Sequence, residues 1–193
     1  MKSISVFCGS SEGNDQQIIK MSHELGKTLA LKGYTLVYGG SKLGLMGNIA
    51  NAALENQGKV IGIIPGFLKR KEVVHTGITE LHTTQNMHDR KLMLNEMADG
   101  IITFPGGFGT MEEFFELLTW AQLGLHKKPI GLLNVNGFFD DLIRLFEKMT
   151  VRGLLKEENL SLLIVEDDIE LLLNKMEDYK PAITGKWITK EQT

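Results

Sequence analysis

Cysteine is nearly missing from this chain: Cys8 is the single one in 193 residues. That excludes an internal disulfide and fits a reducing compartment. Long hydrophobic runs are missing too, since no apolar segment approaches the ~20 residues that a membrane-crossing helix needs. The opening MKSISVFCGSSEG has one lysine and a short apolar run, which suits a first strand better than a signal peptide. A cytoplasmic protein with no membrane partner is expected. An excess of basic charge is also lacking. The net charge of −3 offers no broad positive field for a nucleic-acid polymer, and Lys69, Arg70 and Lys71 form the one basic run, read as a solvated loop. Internal repeats, low-complexity tracts and linkers are absent from the sequence.

What is present suits one globular domain over residues 1–193. An apolar content of 42% and a charged content of 23% are ordinary for a chain able to bury a real core. Short apolar runs alternate with stretches of helical period. The runs predict strands at Ser3–Phe7, Thr35–Tyr38, Val60–Ile64, Gly100–Phe104, Ile130–Leu133 and Leu162–Val165. Ile18, Met21, Leu25 and Leu29 mark a helix face between the first two strands. Further helices are expected near Leu45–Asn56, Met87–Ala98, Met111–Leu123, Phe138–Thr150 and Asp168–Glu177. Because the strands are apolar throughout instead of alternating, they predict a parallel sheet covered on both faces. The fold class is therefore α/β, a Rossmann-like doubly wound sheet. Residues 180–193, with Trp187, read as a C-terminal strap packed on the body.

Glycine-rich turns recur after the strands: Cys8-Gly9-Ser10-Ser11, Gly39-Gly40-Ser41, Pro65-Gly66, Pro105–Thr110 and Asn134–Gly137. Each is expected to lead from a strand into a helix, which would put all of them on one sheet edge and around one pocket. Gly9, Ser10, Gly39 and Gly40 are thus candidates for a phosphate or pocket wall. The familiar nucleotide motifs do not fit. Gly26-Lys27-Thr28 imitates the end of a Walker sequence, but Met21 stands where the leading glycine belongs and the tripeptide lies within an amphipathic helix. Gly107-Phe108-Gly109 starts a dinucleotide fingerprint, but Glu112 occupies its third glycine position.

The strongest local signal is Pro105-Gly106-Gly107-Phe108-Gly109-Thr110-Met111-Glu112-Glu113. Its glycines let backbone amides approach a ligand, and the following helix adds unpaired N–H groups and a positive dipole end. Two acids in what reads as the first helical turn oppose an anion, so the ligand must want both signs of charge. A local explanation competes, because Thr110 and Glu113 have the spacing of a capping box. The glycine density exceeds what a cap requires, which favours function. Upstream, Met87, Arg90, Leu94 and Met97 share one helix face, leaving Arg90 in an apolar stripe. Either its guanidinium snorkels to water, or it enters the pocket to grip phosphate or pair with a carboxylate. His75, His82 and His88 with Glu72 match no zinc spacing and read as loop and helix start, so no metal is expected. Phe114, Phe115 and Trp120 read as core or subunit interface rather than a base-stacking platform.

Pro105–Glu113 together with Met87-His88-Asp89-Arg90-Lys91 resembles the Lonely Guy family, the cytokinin riboside 5′-monophosphate phosphoribohydrolases, also described as lysine decarboxylases. The likeness extends to Val37–Ser41, Gly44–Gly47, Thr119–Gly124 and Lys128–Asn134, and is least distinctive beyond about Glu157. It implies a Rossmann-like homodimer that hydrolyses the N-glycosidic bond of adenine-type or cytokinin nucleoside 5′-monophosphates such as AMP, with no cofactor. It places the catalytic pair on Arg90 and Glu113. The substrate contacts it implies are Glu72, Lys91, Gly107, Phe108, Gly109, Thr110, Met111, Glu112 and Thr119. A non-catalytic nucleotide or cofactor carrier of the same fold is the rival reading. A pyridoxal-phosphate lysine decarboxylase is the third, and no lysine is convincingly placed for its Schiff base.

Overall fold

The computed structural model describes residues 1–69 and 74–181. Seven strands form one all-parallel sheet: β1 Ser3–Phe7, β2 Thr35–Tyr38, β3 Val60–Pro65, β4 Glu80–Thr84, β5 Gly100–Thr103, β6 Ile130–Leu133 and β7 Leu163–Glu166, in the order β4-β3-β2-β1-β5-β6-β7. Chain order runs outward from β1 in both directions, so the winding reverses between β1 and β5. The crevice beyond their carboxyl ends is where open sheets of this kind take a ligand. The main helices are α1 Gln16–Leu31, α2 Gly44–Glu55, α3 Met87–Glu96, α4 Phe108–Gln122, α5 Asp140–Val151 and, after a short α6 at Glu157–Leu160, α7 Ile169–Glu177.

Both sheet faces are buried, as the unbroken apolar strands require. Ile4, Val6 and Cys8 of the β1 segment join Leu36, Tyr38 and Phe104 in a core with α1, α2 and α7. Their neighbours Phe7, Val37 and Ile101 point the opposite way, into a core with Leu94, Phe114 and Phe146. Helix starts follow local chemistry. Asp15 accepts from the amides of Gln17 and Ile18, Asn86 from Asp89, and Asp168 from Leu171.

Several expectations need correction. β4 is a strand the sequence reading omitted: its ELHTT is polar, half-buried and pairs only with β3, so it lacks the apolar run of a central strand. His82 therefore sits on a strand, not in a loop. The Pro65-Gly66 turn leads towards this strand and not into a helix, with Gly66 N donating to Thr84 O at 2.9 Å. α4 begins at Phe108, three residues before the expected Met111. Arg70, Lys71, Glu72 and nearly all of the 180–193 strap, Trp187 included, lie outside the described residues. No described helix is long and apolar enough to cross a membrane.

Gly26, part of the false Walker sequence, has a packing role. A Cβ there would lie 2.1 Å from the Ile49 carbonyl oxygen, where α1 crosses α2. We predict that Gly26→Ala forces the two helices apart and costs about 1–3 kcal/mol. A melting temperature unchanged from the parent protein would contradict this.

Candidate active site

The two helices that follow β4 and β5 bring together the residues singled out above. Arg90 on α3 and Glu113 on α4 are 7% and 9% exposed. Arg90 Nη1 donates to Glu113 Oε1 at 2.6 Å, and its Nε donates to the Ile63 carbonyl at 3.2 Å. The guanidinium does not snorkel; it turns inwards and is fixed at two points. Gly39 makes this possible, because a Cβ at that position would stand 2.4 Å from Arg90 Nη2.

The capping-box alternative for Glu113 fails on the same geometry. The N-cap of α4 is Gly107, which has no side chain to offer, and Thr110 lies inside the helix. Glu112 and Glu113 consequently fall in the second turn, not the first. The amides of Phe108, Gly109 and Thr110 precede the first intrahelical bond, from Met111 N to Gly107 O at 3.1 Å. They are the positive, uncapped end of a 15-residue helix. The turn before it is tight. Gly9 N donates to Pro105 O at 3.1 Å, and a Cβ on Gly106 would lie 2.7 Å from Gly9 N and 2.2 Å from Thr110 Oγ1. Only a glycine lets the β1 and β5 turns meet here.

These pieces surround a cavity of about 280 Å³ at the β1/β5 crevice. Of the expected residues, Gly9, Ser10, Gly39, Arg90, Gly107, Phe108, Gly109, Thr110 and Glu113 line it. Gly40, Lys91, Met111, Glu112 and Thr119 lie outside that lining, and Glu72 falls outside the described residues. Lys91 Nζ instead pairs with Glu112 at 2.5 Å and Glu116 at 3.1 Å. Burial works against the charge on Lys91, but these two partners outweigh it and hold its pKa up. Thr119 donates its hydroxyl to Phe115 O of its own helix at 2.7 Å. The Asn134–Gly137 turn opens on a different cavity, beside Gln17 and Asp167; the expected single pocket for all five turns is not formed. Cys8, Met46, Ile64, Leu68 and Met87 also line the site and went unassigned. Cys8 stands within a glycine-rich turn and Met87 on the Arg90 face, a signal that was available; Met46, in the first turn of α2, and Leu68 carried none.

Electrostatically the site is polarised. Burial pushes the Glu113 carboxyl above the ordinary glutamate value, and Arg90 offsets only part of that rise. Burial, then the charge of Glu113, raises the Cys8 thiol, so it stays protonated and is no nucleophile. Phe108, at the mouth, is 97% exposed. Among the described residues no group of three His, Cys, Asp or Glu side chains could hold a metal ion. His75 bonds Asn51 at 2.8 Å and His82 faces Glu80 at 3.4 Å.

The ion pair gives a pH-dependent prediction. Arg90→Gln should destabilise the fold by about 3–5 kcal/mol, because Glu113 is left buried without its partner. In that variant the folded-state pKa of Glu113 rises further above its unfolded value. The folded state then binds the extra proton, and stability falls as pH rises through the window above 4.5. Acidification from pH 8 towards 5 should therefore recover part of the loss, read as melting temperature against pH. A variant equally unstable at both ends would refute the assignment.

The family described as "Possible lysine decarboxylase" matches residues 46–176. A cytokinin riboside 5′-monophosphate phosphoribohydrolase of Rhodococcoides fascians is 45% identical, covering 88% of this chain and 86% of its own. One from Oryza sativa is 40% identical over 92% of this chain and 74% of its own. Among solved structures, the molybdenum cofactor binding protein of Rippkaea orientalis superposes with a TM-score of 0.68 at 22% identity, covering 92% of this chain and 96% of that one. That likeness speaks to the fold alone.

Proposed function

Because this chain belongs to the cytokinin riboside 5′-monophosphate phosphoribohydrolase family, we propose that it cleaves the N-glycosidic bond of adenine-type nucleoside 5′-monophosphates, with Arg90 and Glu113 as its catalytic pair. The observation that carries the residue assignment is a buried, ionisable acid one helical turn inside an uncapped helix N-terminus, within a single cavity.

Such a nucleotide carries its anion on the 5′ carbon and its scissile bond across the ribose. The 5′-phosphate docks on the amides of Phe108, Gly109 and Thr110, beside the Gly9-Ser10 turn. Glu113 then faces the anomeric carbon. As the C1′–N bond breaks, the sugar becomes oxocarbenium-like, and the carboxylate stabilises that charge and orients the water that adds to C1′. The base leaves with the bonding electrons and takes up a proton; the products are free base and ribose 5-phosphate. At ~4 Å and an effective dielectric of ~20, opposite unit charges attract by about 4 kcal/mol, which corresponds to roughly 10³ in rate. Arg90 favours the ionised form of Glu113 against the effect of burial, and aims it. The cavity of about 280 Å³ lies at the small end for a ligand site, so the base projects past its mouth, towards Phe108.

Lys91, Met111, Glu112 and Thr119, with Glu72, remain assigned to substrate contact by the family resemblance. The reading extends to a cytoplasmic homodimer with no nucleic-acid polymer as partner. Support comes from the net charge of −3 and from apolar side chains left on the α5 side, where Val151 and Leu154 are 88% and 79% exposed.

Three outcomes are expected. Chromatography of AMP or an N6-substituted analogue incubated with the protein alone should show free base and ribose 5-phosphate, while ribosides lacking phosphate are poor substrates. Glu113→Gln should lower kcat by about 10²–10³ with its circular dichroism unchanged; full turnover by that variant would sink the catalytic assignment. The acid limb of the pH–rate profile should lie above 4.5, the direction in which burial shifts Glu113.

A further inference from the structure

A second cavity, of about 560 Å³, lies between the outer faces of α3 and α4 and the chain entering β6. Its size is that of a small-molecule site, and it shares no lining residue with the cavity around Arg90 and Glu113. Leu92, Leu125 and the indole of Trp120 make its apolar walls, and Glu96 and Glu116 supply carboxylates. Asn95 also lines it and is 9% exposed, yet its Oδ1 has no hydrogen-bond partner among the described residues.

An acceptor buried in this way costs about 1–3 kcal/mol. Three of its other polar side chains, His126, Lys128 and Glu116, have partners, although Glu116 Oε2 has only its ion pair with Lys91 and no hydrogen bond among the described residues. His126 Nε2 bonds the Leu117 carbonyl at 2.9 Å and its Nδ1 accepts from Lys128 N at 3.2 Å; burial keeps the ring neutral. Lys128 Nζ donates to the Asn95 carbonyl, and Glu116 pairs with Lys91. Asn95 Oδ1 is what asks for a ligand N–H.

We propose that this groove is a second ligand site, for a free purine base. A planar ring fits the face of Trp120, an exocyclic amine or ring N–H satisfies Asn95 Oδ1, and the carboxylates of Glu96 and Glu116 disfavour anything carrying phosphate. This selects against the nucleotide and for the class of product it releases, a point resting on the function proposed above. Binding reaches the catalytic pair through its two helices. α3 carries both Arg90 and Asn95, α4 carries both Glu113 and Trp120, and Lys91 joins them through Glu112 and Glu116. A base seated between these helices acts on the contact between Arg90 and Glu113 without occupying their cavity.

Equilibrium dialysis of radiolabelled adenine tests this on the full chain bearing Glu113→Gln, with saturating AMP present. One adenine per chain should remain bound, and adding Trp120→Ala or Asn95→Leu should weaken it at least tenfold. In the parent enzyme the same two substitutions should leave kcat and KM for AMP within twofold while removing non-competitive inhibition by adenine. Glu96→Gln, at an exposed position, gives a variant safe for folding and should let AMP compete for the groove. Displacement of all adenine by AMP would overturn the proposal. So would adenine binding unaffected by either substitution, or a Trp120→Ala chain that turns monomeric with adenine binding intact, which would make the groove an interface between copies. Should AMP yield no products at all, the catalytic reading fails, whereas the dialysis count still decides the groove.

Discussion

The contact between Arg90 and Glu113 is the constraint on which the site depends. Two charges withdrawn from water are costly, and their attraction rarely returns more than the desolvation takes. An apolar pair in the same space would serve the fold as well. The surroundings nevertheless accommodate the ions at every side: Ile63 gives its carbonyl to Arg90 Nε, Gly39 gives up its Cβ to make room for Nη2, and Glu113 orients Nη1. The turn after β2, strand β3 and helix α4 are thus matched to one guanidinium on α3. Such matching is understandable where a carboxylate must stay charged while it is shielded from water.

The fold decides where that carboxylate stands. Reversal of the winding between β1 and β5 leaves a gap beyond their carboxyl ends. Close packing of Gly9 against Gly106 sets its floor, and α4 starts at its rim with no side-chain cap. The neighbouring starts of α1, α3 and α7 are closed by Asp15, Asn86 and Asp168. α2 and α5 also begin without a side-chain cap, but α4 is the helix whose first three residues, Phe108, Gly109 and Thr110, line the crevice.

Much of this could be read in the sequence. The central strands announced themselves because burial on both faces demands apolar residues at every position, and Arg90 did so by interrupting an apolar helix stripe. β4 was hidden because an edge strand with one neighbour needs no such run, and ELHTT has none. The start of α4 was misplaced because glycines read as turn; their missing side chains concealed that Phe108 and Gly109 are helical. That error made Thr110 look like a cap and offered Glu113 a local partner as a rival to Arg90. Lys91 shows another limit. Its neighbour Arg90 enters the cavity, but one residue is a 100° rotation on a helix, enough to send Lys91 to Glu112 and Glu116 instead. The Asn95 acceptor was invisible, since hydrogen-bond satisfaction belongs to packing and not to composition.

The same rotation explains how the proposed anion site can tolerate two adjacent acids. Glu112 points out of the cavity, where Lys91 compensates its charge at 2.5 Å. Glu113 points in, but not at the helix end. It lies five positions beyond Phe108, a rise of ~7.5 Å along α4. At that distance and an effective dielectric of ~20, a carboxylate and a phosphate charge repel by about 2 kcal/mol, half the attraction available to a cation at ~4 Å. The helix therefore sorts charge by depth. In the mechanism proposed above, its uncapped amides take the anion at the rim, and its second turn holds the acid one ribose further in, where the positive charge would develop. Moving the acid one turn towards the N-terminus would bring its repulsion onto the phosphate and its attraction away from the sugar.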